Sequence, residues 1–103
     1  MISVIIAAYN AEKYIEKCLQ SLKDQTYSDF EAIVVVDGAT DNTFELCRKF
    51  SESDRRFVSV YRKNGGPAAA RNTGLDCCRG EYVTCIDADD YVDRDFLEVL
   101  LVT

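Results

Sequence analysis

Four mainly apolar runs limit most severely what this chain can fold into. They occupy residues 2–8, 30–36, 57–61 and 82–86, and each is followed by a stretch whose apolar residues return at helical spacing. Runs that do not alternate in polarity belong to strands covered on both faces, as in parallel sheets. Between them, Tyr14, Ile15, Cys18, Leu19 and Leu22 mark one helix, and Phe44, Cys47 and Phe50 a second. A third spans 68–78, and a fourth starts at about Asp93 and carries Phe96, Leu97, Leu100 and Leu101. Strand and helix alternating four times predicts an α/β fold with a parallel sheet and right-handed crossovers.

Local chemistry supplies the expected boundaries. Asn10, then Thr40 or Asp41, and finally Asp93 are suited to cap the first, second and fourth helices. Pro67 fits the first turn of the third helix, and Gly80 its C-terminal stop. The aromatic residues Tyr14, Phe44, Phe50 and Phe57 are expected in the core. Tyr9, at the end of the first strand, could instead stack on a nucleobase.

At 103 residues the chain amounts to a single domain, 1–103, able to bury roughly two-thirds of its unfolded surface. A net charge of −6 argues against a nucleic-acid or membrane-surface binder, which would carry a basic face. The apolar N-terminus has no basic flank, so it does not read as a signal peptide, and no stretch is long enough to span a bilayer. Five cysteines without a CxxC pair, and no histidine, speak against zinc sites and a disulfide framework. Reduced, mostly buried thiols and a cytoplasmic location are expected. Lack of histidine also removes the commonest general base.

Three carboxylates crowd the end of the fourth run, in Asp87-Ala88-Asp89-Asp90. They can form an ordinary turn, but Asp93 is the better cap, so the cluster has no evident structural duty. Aspartate oxygens suit hard Mg²⁺ or Mn²⁺, which usually take one or two carboxylates plus phosphate oxygens. If strand geometry persists, Asp87 and Asp89 share one side and Asp90 faces away. A second acidic turn, Asp37-Gly38, follows the second run, where a carboxylate could accept from a base N–H or a ribose hydroxyl. In an open parallel sheet both turns lie along the edge where ligands bind, pointing to a divalent cation holding a phosphorylated ligand. Gly65-Gly66-Pro67 followed by Arg71 is either a plain loop with an exposed arginine or a flexible loop that turns a guanidinium toward a diphosphate. Neither a GxGxxG fingerprint nor a GxxxxGK[ST] loop is present, which excludes NAD or FAD binding and a P-loop NTPase.

Taken in order, several segments strongly resemble family 2 glycosyltransferases. They are Ser3-Val4-Ile5-Ile6-Ala7-Ala8-Tyr9-Asn10, Gln25-Thr26-Tyr27, Asp29-Phe30-Glu31 and Asp37-Gly38-Ala39-Thr40-Asp41. Two more complete the set: Gly65-Gly66-Pro67-Ala68-Ala69-Ala70-Arg71-Asn72-Thr73-Gly74, and Gly80-Glu81-Tyr82 through Asp90. The resemblance implies a Rossmann-like GT-A fold with strand order 3-2-1-4, and transfer of a sugar from a UDP- or GDP-type nucleotide-diphospho-sugar with inversion. Ala7, Ala8 and Tyr9 would line the base pocket, Asp37 would bind base or ribose, and Arg71 would lie near the nucleotide. Asp87-Ala88-Asp89 would be the DxD motif, with Asp89 and Asp90 nearest a Mn²⁺ or Mg²⁺ ion that helps the diphosphate leave.

The chain departs from the family pattern at Val36, where an acid is frequent, at Ala7 for proline and at Ala39 for serine. It is also less than half as long as family catalytic domains, so the resemblance implies a truncated donor-binding fragment without the acceptor half or its catalytic base, inactive alone. A free edge on the fourth strand would then favour self-association. Two other classes remain open: a non-catalytic interaction module that keeps the fold, and a phosphoacceptor signalling domain. The second fits poorly, because the first strand ends in Tyr9-Asn10 and the third in Tyr61-Arg62-Lys63.

Overall fold

The computed structural model describes residues 1–102 apart from Ala39 and Asn64. Strands β1 (Ile2–Ala8), β2 (Phe30–Asp37), β3 (Phe57–Arg62) and β4 (Tyr82–Asp87) alternate with α1 (Ile15–Lys23), α2 (Thr43–Ser53), α3 (Pro67–Cys77) and α4 (Phe96–Val102). They form one sheet in the order β3-β2-β1-β4, every pair parallel. The central strands are the most apolar because both of their faces are covered. Val4, Ile6, Val34 and Val36 face a core completed by Ile15, Cys18, Leu19 and Leu22 of α1, Cys47 of α2 and Leu97 of α4. Each fully buried leucine of α1 contributes roughly 2 kcal/mol. Ile33 and Val35 face the other way, onto Ala70 of α3. Small residues let α3 lie close to the sheet: a Cβ at Gly74 would come within 2.5 Å of Ile5 Cγ2.

Several local expectations change in the folded chain. Asn10 does not cap α1. It adopts φ 46°, a left-handed conformation that asparagine tolerates, and its Oδ1 accepts the Thr40 N–H at 2.8 Å. Tyr14 is 53 % exposed rather than in the core, because α1 starts only at Ile15. At α2 the Asp41 carboxylate accepts the Thr43 N–H at 3.0 Å, close to the expected cap. Asp93 does not cap α4 with its side chain. The Leu97 N–H donates instead to Gln25 Oε1 at 2.9 Å, a cap delivered from the end of α1. Gly80 is no left-handed helix stop. α3 passes into extended backbone at Cys78, and Gly80 is small because it lies against β1, where a Cβ would meet Ser3 N at 2.7 Å. Of the thiols, all free, only Cys18 and Cys47 are buried, while Cys77 and Cys85 are exposed. No helix among the described residues is long and apolar enough to cross a membrane.

Candidate functional site

The chain leaves β1 toward β2 on one side, while β4 lies on the other, so a crevice opens between the carboxyl ends of β1 and β4. Open α/β sheets bind ligands at such a switch point. A cleft of about 520 Å³ occupies it. Its walls are Ala7, Ala8, Tyr9 and Asn10 from the end of β1, Asp37 from β2, and Gly66, Pro67, Ala70 and Arg71 from the start of α3. Asp87, Ala88 and Asp89 close it on the β4 side, and Ala11 and Tyr14, from the segment before α1, complete the lining. Parallel pairing puts Ala7 beside Asp87 and Ala8 beside Val36, which is why residues distant in sequence share one wall.

Asp90 lies outside the lining, yet it does not face away from its neighbours. Strand geometry ends at Asp87, and the Asp90 N–H closes a turn onto the Asp87 carbonyl at 3.0 Å. Alternation therefore fails there, and one carboxylate oxygen from each of Asp87, Asp89 and Asp90 falls within 4.8 Å of the others. All three are exposed, so water screens their repulsion, and the oxygen-only donor set suits a hard divalent cation. Beneath the turn, Cys18 Sγ donates to the Asp87 carbonyl at 3.7 Å. Burial first, then the charges of Asp90, Asp89 and Asp87, push that thiol up to about 12.

Asp37 is buried and already engaged. Its carboxylate accepts the Gly65 N–H at 2.9 Å and the Gly66 N–H at 2.8 Å, and lies 3.4 Å from Arg62 Nε. Gly66 has φ 90°, a conformation that glycine alone adopts at no steric cost. Asp37 thus holds the loop that places the amino end of α3 against the cleft. The Arg71 side chain is exposed one turn into α3 and has no hydrogen-bond or ion-pair partner among the described residues. Tyr9, just past the end of β1, is exposed and also lines the cleft.

The profile of glycosyl transferase family 2 matches residues 3–102. The chain belongs to that family. Its sequence is 48 % identical over 99 residues to glycosyltransferase GlyA of Streptococcus pneumoniae serotype 4, a match that covers 96 % of the chain but only 14 % of GlyA. Among solved structures, S. aureus TarS 1–349 in complex with UDP-GlcNAc superposes with a TM-score of 0.86 at 34 % identity, covering 98 % of the chain and 30 % of TarS. Mannosyltransferase PcManGT from Pyrobaculum calidifontis, in complex with GDP-Man and Mn²⁺, gives 0.81 at 31 % identity, covering 93 % and 30 %. These neighbours carry the GT-A fold expected from the family 2 motifs.

Of the nine site residues expected from the sequence, Ala7, Ala8, Tyr9, Asp37, Arg71, Asp87, Ala88 and Asp89 line the cleft, while Asp90 lies outside the lining and within the carboxylate cluster. Sequence reasoning missed Asn10 and Tyr14, which it assigned to a cap and to the core. An asparagine directly after a buried strand, with no helix start for several residues, was the available signal for Asn10. Nothing local marked Arg62 as the partner of Asp37.

Proposed function

We propose that these 103 residues bind a nucleotide-diphospho-sugar donor across the β1–β4 cleft, as the donor unit of an inverting glycosyltransferase. The observation that carries this reading is the meeting of Asp37, Arg71, Asp87 and Asp89 on one cleft at the switch point of the sheet. Family 2 neighbours captured with UDP-GlcNAc, and with GDP-Man and Mn²⁺, support the same ligand class. In this arrangement Ala7, Ala8 and the Tyr9 ring receive the base, and Asp37 takes base or ribose. Arg71, without a partner among the described residues, is placed to pair bidentately with the diphosphate. Asp87 and Ala88 shape the turn that presents Asp89 and Asp90 to Mg²⁺ or Mn²⁺. Bound there, the cation supplies charge stabilisation to the departing diphosphate.

Inverting transfer forms a bond from the acceptor oxygen to the anomeric carbon, breaks the bond to the diphosphate and passes the acceptor proton to a base. Asp93 and Asp95, the nearest further acids in sequence, lie outside the cleft lining. No catalytic base is therefore assigned among the residues of this chain, which cover only 30 % of TarS 1–349. Five free thiols fit a reducing compartment, so the cytoplasm belongs to the proposal as well. So does self-association through β4, whose outer edge carries the exposed Tyr82 and Val83.

Calorimetric titration of UDP and GDP with and without Mn²⁺ tests the donor reading. Binding is expected to require the metal, and Asp89→Asn is expected to weaken it more than about tenfold, since even residues behind the ligands cost 10- to 100-fold. Nucleotide affinity indifferent to both metal and Asp89 would leave an interaction module that merely keeps the fold.

A further inference from the structure

The eight residues between β4 and α4 contain Asp89 and Asp90 yet belong to neither strand nor helix. What holds them in place is one face of α1 and the turn that ends it. Cys18 and Ser21, at i and i+3, share a stripe of α1 that Gln25 extends just past the helix C-cap, with Lys17 beside it. Along that stripe Cys18 Sγ meets the Asp87 carbonyl, and Lys17 Nζ lies 3.8 Å from the centre of the Tyr91 ring. The Val92 N–H donates to Ser21 Oγ at 3.2 Å. Gln25 Nε2 donates to the Asp93 carbonyl at 2.5 Å and to the Ser21 carbonyl at 3.1 Å, while its Oε1 accepts from Leu97.

Gln25 is buried, and this network fixes its amide orientation. Two carbonyls need the NH₂ and one N–H needs the oxygen, so a flipped amide would set like against like on both sides. The acids it borders have the opposite character: three exposed like charges gain by spreading apart. Without an anchor after Asp90, the segment could relieve that repulsion by swinging outward. Anchors at both ends, Cys18 before the turn and Ser21 with Gln25 after it, hold the oxygens convergent.

We propose that Gln25, assisted by Ser21, is a positioning residue for the cation-binding turn: by fixing the backbone from Val92 to Leu97 it keeps Asp89 and Asp90 poised to share one divalent ion. The inference rests on the metal reading of the acidic turn given above. It assigns Gln25 no contact with the ion or the donor.

The test compares wild type, Gln25→Met, Ser21→Ala and Asp89→Asn in the full chain. Mn²⁺ affinity is read from the electron paramagnetic resonance signal of free Mn²⁺, and metal-free amide exchange at Asp90, Val92 and Leu97 is read by NMR. Ser21→Ala and Gln25→Met are each expected to weaken Mn²⁺ binding about tenfold, in the range known for residues behind metal ligands. Exchange at those three amides is expected to quicken while β1 and β2 stay protected. Should Gln25→Met fail to fold, Ser21→Ala, which loses the Val92 N–H bond and one bond to the Cys18 carbonyl within its own helix, carries the comparison. Wild-type Mn²⁺ affinity in a folded variant, with Asp89→Asn still impaired, overturns this inference alone. A wild type that takes up no Mn²⁺, or an Asp89→Asn chain that binds it undiminished, removes the metal reading and this inference together.

Discussion

Asp37 and Arg62 face each other across the β2–β3 pair as register partners, with the carboxylate 3.4 Å from the guanidinium Nε. The same arginine reaches on to the Ala69 carbonyl and Thr73 Oγ1, both at 2.8 Å, while the carboxylate takes the two glycine N–H groups before α3. One ion pair thereby ties the end of β2 to the loop and first turns of α3 that wall the cleft.

Replacing Asp37 by alanine leaves those two N–H groups without acceptors and Arg62 without its anion. The expected loss is about 2 kcal/mol, typical of hydrogen bonds to a charged group. Urea denaturation measures it, and nucleotide titration of the folded variant is expected to show weaker binding. An unchanged denaturation midpoint would refute the fastening role.

Glu31 supplies a pH dependence. Burial alone raises its carboxyl, but the Ser3 hydroxyl at 2.6 Å, the Arg79 N–H at 2.6 Å and the Arg79 guanidinium outweigh burial and leave it below the usual range. A depressed folded value means stability fully present above the unfolded glutamate pKa of about 4.3, and lost as pH falls through the lower folded value. Asp41 and Asp54, lowered by Thr43 and by Arg56, add losses of the same sign. Glu31→Gln is expected to be less stable near neutrality by about 1–2 kcal/mol. Below about pH 4 the gap to wild type narrows. Urea midpoints across the acid range check this; parallel curves for the two proteins would contradict it.

Gly80→Ala pushes a methyl toward Ser3 N at 2.7 Å and the Met1 carbonyl at 2.8 Å, both backbone atoms that cannot swing aside. It also strains the Gly80 N–H bond to Ser3 Oγ, 2.8 Å long. A loss of about 2 kcal/mol is expected, within the range for overpacking. Thermal denaturation measures it, and wild-type stability would show that the α3–β4 connection yields more easily than its contacts suggest.

Among the described residues β4 pairs only with β1, leaving its far side as a sheet edge. Tyr82 is 60 % and Val83 43 % exposed there, and an apolar groove against Leu101 runs alongside. Such edges recruit other strands. The chain is expected to self-associate at high concentration in sedimentation velocity, and Val83→Lys to shift it to monomer. A wild type that sediments as monomer throughout argues against the edge as an interface.

Much of the fold was legible because its signals are local. Mainly apolar runs marked buried parallel strands, and helical spacing placed Ile15, Cys18, Leu19 and Leu22 on one inner face, where all four are buried. The strand order came from resemblance to the family, since no run states which neighbour it pairs with. Side-chain direction in the acidic turn was misjudged because alternation holds only while the chain stays extended, and it turns at Asp87. Caps were misjudged for a related reason: Asn10 and Asp93 have capping chemistry, but tertiary partners made other bonds available first.

The sequence by itself determined the elements, the parallel character of the sheet and the chemical kinds gathered at its carboxyl edge, because periodicity and residue type are properties of short stretches. Only the tertiary structure decided which groups are engaged and which are free. Asp37 is committed to backbone 28 and 29 residues away, and Gln25 to Leu97, 72 residues on, while Arg71 and the Asp89 cluster are left facing solvent. Contacts over such separations exist only once the sheet has assembled, so no local pattern encodes them.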